Sequence, residues 1–230
     1  MTFITFEGMD GAGKSSTSVQ VAERLAVCGH RVRHIDKKGI GLEDPYLVRH
    51  AEAVRTLIWG YPSTAPIGKL GDGHWLHLMA SWFHLLDDTV VKPALASGQI
   101  VVVDSWIGKF MARFALKSPT RDEQARAAFA GLSVPDLTVF LDVEPVVAAG
   151  RKREFTIAEC GNIDGLVGAN AGNFIAYQSR VRSALSAFAA EWNWSRIDTT
   201  HRPQDDVVSL AVEILERHLA TARLDVAIPD

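Results

Sequence analysis

Apolar residues follow two rhythms along this chain. TFITF (2–6), QIVVV (99–103) and LTVFLDV (137–143) are nearly unbroken apolar runs. Such runs suit parallel strands buried on both faces. His30–Ile35 alternates polar and apolar as a second strand would, and Ser195–Asp198 reads as the last strand. Between the strands the period is helical. Val19, Ala22, Leu25 and Ala26 predict a helix over Lys14–Val27, which Gly29 is placed to end. Tyr46–Trp59 predicts a second helix. A long third helix is expected from His74 to about Leu95, with Pro93 near its end and Ser97-Gly98 stopping it. Asp205 or Asp206 caps a final helix to about Leu219, with Val207, Leu210, Ala211 and Ile214 on one face. Asp36–Pro45 and the Gly- and Pro-rich Tyr61–Gly73 read as loops. Strands alternating with helices predict an α/β fold: a parallel sheet of about five strands, helices on both faces, and ligands at the carboxyl ends of the strands. No internal repeat or low-complexity linker interrupts residues 1–230, so a single domain is expected.

Composition narrows the function classes. With 47% hydrophobic and 22% charged residues, 230 residues can build a sizeable core. A formal net charge of -3 argues against a nucleic-acid partner. Cys28 and Cys160 lie far apart, which fits a reducing compartment and suggests neither a disulfide framework nor a zinc site. The chain opens directly on a strand, without a basic and apolar leader, and no apolar run reaches transmembrane length. A cytoplasmic protein with no membrane partner is expected.

The turn after the first strand carries the clearest chemistry. Gly8-Met9-Asp10-Gly11-Ala12-Gly13-Lys14-Ser15 fits G-x-x-x-x-G-K-[ST], between a strand and a helix. Glycines let backbone N–H groups wrap a polyphosphate, lysine reaches its β- and γ-phosphates, and the serine hydroxyl ligates Mg²⁺. ATP and Mg²⁺ are the expected cofactors. Gly8, Asp10, Gly11, Ala12, Gly13, Lys14, Ser15 and Ser16 form the expected nucleotide-binding loop, with Ser15 as a metal ligand.

A phosphate-binding loop does not by itself choose between kinases, ATPases and GTPases. FITFEGMDGAGKSS (3–16), VVKPALASGQIVVVD (90–104), PDLTVFLDVEP (135–145), GRKRE (150–154) and FIAYQSRVRSAL (174–185) resemble successive segments of the thymidylate kinase family of P-loop nucleoside monophosphate kinases. The resemblance is weakest between residues 36 and 75. It implies a P-loop kinase fold with a lid at about 150–173, where Gly161, Gly165, Gly168 and Gly172 suggest mobility. It implies Lys14 on the donor phosphates, Asp10 near the acceptor or metal, and Asp104 as a metal-shell or acceptor-side carboxylate. It also implies that Arg151 and Arg153 are lid arginines closing on the transferring phosphoryl group. Some family members carry an arginine inside the phosphate loop, where this chain has Gly11. The family's usual homodimer is implied as well, with the helix bearing Trp75, Leu78 and Trp82 as a candidate interface. Each role has a plainer competitor. Asp104 and Asp10 could be turn residues, and Arg151, Lys152 and Arg153 a solvated basic run. Asp142 reads as structural.

Departures from the family pattern cluster on the acceptor side. Its Asp-Arg-Tyr reads Asp104-Ser105-Trp106, which removes the arginine that would grip the acceptor's phosphate. Phe83 stands where the family has an arginine toward the base. Arg113-Phe114 replaces an aromatic-glutamine pair, and Asp36-Lys37-Lys38-Gly39 an Arg-Glu-Pro turn. Serine cannot provide arginine's bidentate fork, and each lost charge-assisted contact weakens binding by roughly 1.5–3 kcal/mol. Lys37, Lys38, Arg55, Lys69, Lys109 and Arg113 are candidate replacements. The same half is rich in Trp and His: Trp59, His74, Trp75, His77, Trp82, His84 and Trp106. They read either as core packing or as a rebuilt pocket in which His77 or His84 serves as a base.

The leading expectation is an ATP-dependent phosphotransferase acting on a small phosphorylated acceptor such as a nucleoside monophosphate. A kinase for a hydroxyl acceptor, with Asp104 or Asp10 as base, is the first alternative. A P-loop regulator or NTPase is the second.

Overall fold

The computed structural model describes residues 2–36 and 41–226, with side chains to residue 221. Five strands build one parallel sheet: β1 (Thr2–Glu7), β2 (Val32–Ile35), β3 (Ile100–Val103), β4 (Leu137–Asp142) and β5 (Ser195–Asp198). Their order is β2-β3-β1-β4-β5, with β1 paired in parallel to both β3 and β4. Phe3, Ile4 and Phe6 of β1, Val101–Val103 of β3 and Val139–Leu141 of β4 are buried, as their unbroken apolar runs require. The chain leaves β1 toward β2 and β3 and returns to β4 on its other side. The carboxyl end of β1 is therefore a topological switch point, where such sheets open a crevice.

Helix α1 (Lys14–Val27) buries Val21, Ala22 and Leu25. The N–H of His30 closes its end on the Leu25 carbonyl, so β2 starts at Val32 and not at His30 as the alternation suggested. Helix α2 (Pro45–Trp59) is capped by Asp44, which accepts from the N–H groups of Tyr46 and Leu47. The expected long third helix is divided. Helix α3 (Gly71–Leu86) passes into a π turn at Asp87–Val91 and then into α4 (Lys92–Ala96). Pro93 has no N–H to offer the Thr89 carbonyl, and the wider turn ahead of it absorbs that missing bond.

Three helices have no counterpart among the elements the sequence pattern predicts: α5 (Gly108–Ala115), α6 (Pro119–Ala128) and α7 (Pro145–Gly150). The signal for α6 was present, since Ser118 caps Arg121 N–H at 3.2 Å and Pro119 opens the helix. Helix α7 (Pro145–Gly150) leads into 151–170, a segment with a short 3-10 turn at Asn162–Asp164. Helix α8 (Ala171–Glu191) comes next, and α9 (Gln204–Val226) runs past the expected Leu219. No helix among the described residues is long and apolar enough to cross a membrane. Trp75 and Trp82 are buried in their own chain, so α3 does not present them as an interface.

Candidate active site

The turn after β1 is shaped by glycines at positions other residues cannot fill. Gly8, Gly11 and Gly13 all have positive φ, and a Cβ on Gly8 would stand 2.5 Å from the Leu141 carbonyl oxygen. The loop delivers Lys14 at the first turn of α1. Its buried ammonium donates to the Gly8 and Met9 carbonyls at 2.9 and 2.8 Å, so the loop holds its own lysine. Burial, and then repulsion from Lys109, push the Lys14 ammonium down to about 8 against the pull of Asp10, Glu7 and Asp104. The next residue, Ser15, donates its hydroxyl to Asp104 Oδ2 at 2.7 Å. Ser16 turns back on the Gly13 carbonyl.

Asp104 ends β3, and the backbone of residues 106–109 beyond it is organised by Glu7. That carboxylate, buried at the end of β1, accepts the backbone N–H groups of Trp106 and Gly108 at 2.9 Å and of Lys109 at 3.2 Å. Glu7 thereby fixes the start of α5. Two cations on α5 face Asp10: Lys109 Nζ reaches Oδ1 at 2.7 Å and Arg113 reaches Oδ2 at 2.8 Å. Burial opposes ionisation of Asp10, but Lys109, Arg113 and Lys14 together hold its carboxyl well below the usual range. Gln178 of α8 accepts the Asp10 N–H at 3.1 Å and donates to the Glu159 carbonyl at 2.8 Å, tying the loop to the 151–170 segment. Glu7 and Gln178 were not singled out from sequence. A glutamate ending a strand and a glutamine inside a helix carry no spacing that marks them.

These groups line a cleft of roughly 710 Å³. One wall is the phosphate loop with Asp104, and another is aromatic and apolar, with Trp59, Tyr61, Trp75, Met79 and Phe110. Glu154–Glu159 and Ile163 cover it. The covering segment is docked: Asp164 accepts the Tyr177 hydroxyl and pairs with Lys117, which also reaches Asp72 of α3 at 2.7 Å. Gly161, Gly165 and Gly168 take left-handed turns within it, whereas Gly172 is helical.

Sequence-level candidates therefore separate into two groups. Asp10, Gly11, Gly13, Lys14, Ser15, Ser16 and Asp104 lie together in the cleft. Arg151 and Arg153 do not line it. Arg151 donates to the Thr199 and Thr200 carbonyls at 2.7 and 3.1 Å, and Arg153 is exposed. Among the candidate cations, Lys109 and Arg113 line the cleft, Arg55 and Lys69 are exposed outside it, and Lys37 and Lys38 lie outside the described residues. So does Gly39, and with it most of the Asp36–Gly39 turn. Phe83 is buried against Trp106, Phe110 and Phe129 at ring distances of 5.2–5.9 Å. The aromatic-rich half divides likewise: Trp59 and Trp75 face the cleft, while Trp82 and Trp106 are core. His74 and His77 are exposed, and His84 bonds the Ala128 carbonyl at 3.1 Å, so neither His77 nor His84 reaches the cleft as a base. Asp142, read as structural, clamps Arg182 (2.6 and 3.0 Å) and Arg196.

No family model matches the chain. The thymidylate kinase of Trichlorobacter lovleyi is 30% identical over 229 residues, which cover 94% of this chain and 97% of that protein. The thymidylate kinase of Chlorobium chlorochromatii is 34% identical over 152 residues, 64% of this chain. That of Photobacterium profundum is 32% identical over 164 residues, 66% of this chain. The match spans 63% of the Chlorobium protein's length and 69% of the Photobacterium protein's. Identity sustained end to end, on a five-stranded parallel sheet that opens with a phosphate-binding loop, places this chain in the thymidylate kinase family.

Proposed function

We propose that the chain is an ATP-dependent kinase that moves the γ-phosphoryl group of ATP to a nucleoside monophosphate. The observation that carries this is the Ser15–Asp104 pair, 2.7 Å apart beside the buried Lys14 in one cleft. The residues present fit ATP and Mg²⁺. Gly8, Gly11 and Gly13 take the positive φ that a phosphate-wrapping turn needs, Lys14 is held by carbonyls of its own loop, and a hydroxyl with a carboxylate is a hard-oxygen donor set. The loop residues Gly8 to Ser16 would hold the donor phosphates with Lys14, and Ser15 and Asp104 the metal. Mg²⁺ bound there neutralises charge on the donor's terminal oxygens.

The rest of the work is positioning and charge. Glu7 fixes the α5 start, and with it the place of Lys109 near the loop lysine. The docked 151–170 segment keeps water from the cleft. Arg151 and Arg153 join the transfer in this proposal by a shift of that segment, which frees Arg151 from the Thr199 and Thr200 carbonyls. A phosphate acceptor needs no general base, whereas an Asp10 held ionised by two cations is a poor proton acceptor for a hydroxyl. The proposal includes a cytoplasmic location and a homodimer, the latter to be checked by sedimentation velocity.

The test is ATP consumption with Mg²⁺ against the nucleoside monophosphates, nucleosides and phosphorylated metabolites, with Lys14→Ala as control. Turnover with a monophosphate, abolished in Lys14→Ala, is the expected result. ATP hydrolysis without any acceptor dependence would overturn it in favour of an NTPase.

A further inference from the structure

Two cations in the cleft stand outside the phosphate loop. Among the described residues that line it, the Lys and Arg side chains are Lys14, Lys109 and Arg113. Lys14 belongs to the phosphate loop. Lys109 and Arg113 are four residues apart on α5, so they share one helix face, and both are mostly buried, at 9% and 15% side-chain exposure. Both contact Asp10, Lys109 at Oδ1 and Arg113 at Oδ2, so one carboxylate fixes where the two cationic heads stand in the cleft.

Both side chains are held in place, and Arg113 keeps a donor to spare. Arg113 lies over the Tyr177 ring at 5.7 Å, and Lys109 over Phe110 at 5.5 Å. Nε of Arg113 is buried without a hydrogen-bond partner. Asp10 sets the spacing of the two heads, and Gln178 holds Asp10 by accepting its N–H at 3.1 Å and donating to its Oδ2 at 3.3 Å. Beside the pair stand Trp59, Tyr61, Trp75 and Phe110, flat apolar surfaces of the kind that pack a ring. Position 105, directly after Asp104, holds a buried serine whose hydroxyl faces Glu7 and offers no charge.

We infer that Lys109 and Arg113, spaced by Asp10, are the anion grip for the acceptor's existing phosphate. This rests on the kinase reading above and assigns its specificity to the face of α5. The held anion of Asp10 supports the same conclusion, because it serves as a spacer between cations and not as a base.

Titration calorimetry of the five common nucleoside monophosphates and their parent nucleosides tests the inference, on the wild type and on Lys109→Met, Arg113→Met and Arg113→Lys. ATP·Mg²⁺ affinity is measured on each protein alongside. The wild type is expected to bind at least one monophosphate about 10- to 100-fold tighter than its nucleoside, the value of one charge-assisted contact. Each methionine variant is expected to collapse that ratio toward one without a matching loss of ATP affinity, and Arg113→Lys to retain part of it. A ratio that survives both methionine variants would place the grip elsewhere. Parallel loss of ATP affinity would assign the two cations to the donor. No monophosphate preference in the wild type would show that there is no such grip. If the ratio behaves as expected and no phosphoryl transfer occurs, the kinase reading fails and the grip stands.

Discussion

Lys14 has its ammonium between two carbonyls of its own loop, with Lys109 as a like-charged neighbour. An ammonium pushed down to about 8 loses its proton as pH rises through that value. Polyphosphate binding favours the charged form, so binding at pH 8.5 should take up more than about half a proton, and at pH 6.5 almost none. Calorimetry in buffers of different ionisation enthalpy measures this, and Lys14→Ala should remove the uptake. The sign for folding is opposite. The unfolded lysine, at its ordinary 10.5, binds more protons than the folded one between about 8 and 10.5. The Lys14 contribution to stability of the ligand-free protein therefore rises with pH across that window. Ser105 and Phe83 show a different residue-level lesson. Their loss of charge relative to the family pattern was legible in the sequence. That Phe83 fills an aromatic core, and that Lys109 and Arg113 face the cleft, was not, because the sequence reading contained no helix α5 to place them on.

At the scale of elements, the 151–170 segment is held by side chains from outside it. Asp164 is its anchor, through Lys117 on the short turn before α6 and the Tyr177 hydroxyl on α8. The group is largely out of water, at 11% exposure for Asp164 and 15% for Lys117, so it resists screening better than a surface pair. Asp164→Asn leaves Lys117 paired with Asp72 on α3 alone, which removes the ionic tie to the 151–170 segment. Hydrogen exchange over residues 157–168 is expected to accelerate about 10- to 100-fold in that variant, with β1 and β3 unchanged. Equal protection in the variant would show that Ile157 and Cys160, buried beneath the segment, hold it without the charge pair. Glycine spacing marked this segment as mobile, yet the anchor comes from Lys117 and Tyr177, which no local pattern links to Asp164. The undetected π turn has the same character. Pro93 marks an irregularity, but the contact from the start of that turn, Asp87 to Ser133 N–H at 3.0 Å, spans 46 residues and has no local signal.

For the molecule as a whole, the switch point beside β1 gathers the ends of β1 and β3, α5 and the covering segment around one cleft. A ligand there joins elements that Asp10, Glu7 and Gln178 already tie together. ATP·Mg²⁺ at about 100 times its Kd should stabilise the fold by about 2.7 kcal/mol, raising Tm by roughly 5–10 °C in a chain of this size. Differential scanning calorimetry checks this. A comparable shift in Lys14→Ala would remove the loop lysine from the nucleotide site.

The sequence by itself determined the sheet, the phosphate loop and the family, because apolar runs, helical periods and the Gly-Lys-Ser turn are local signals set by backbone sterics and burial. Only the tertiary structure decided which distant residues meet in the cleft. Asp10, Lys109, Arg113 and Gln178 are separated by up to 168 residues and meet at hydrogen-bond distance. Contacts of that range are fixed by how helices pack on the sheet, and the sequence does not announce them one residue at a time.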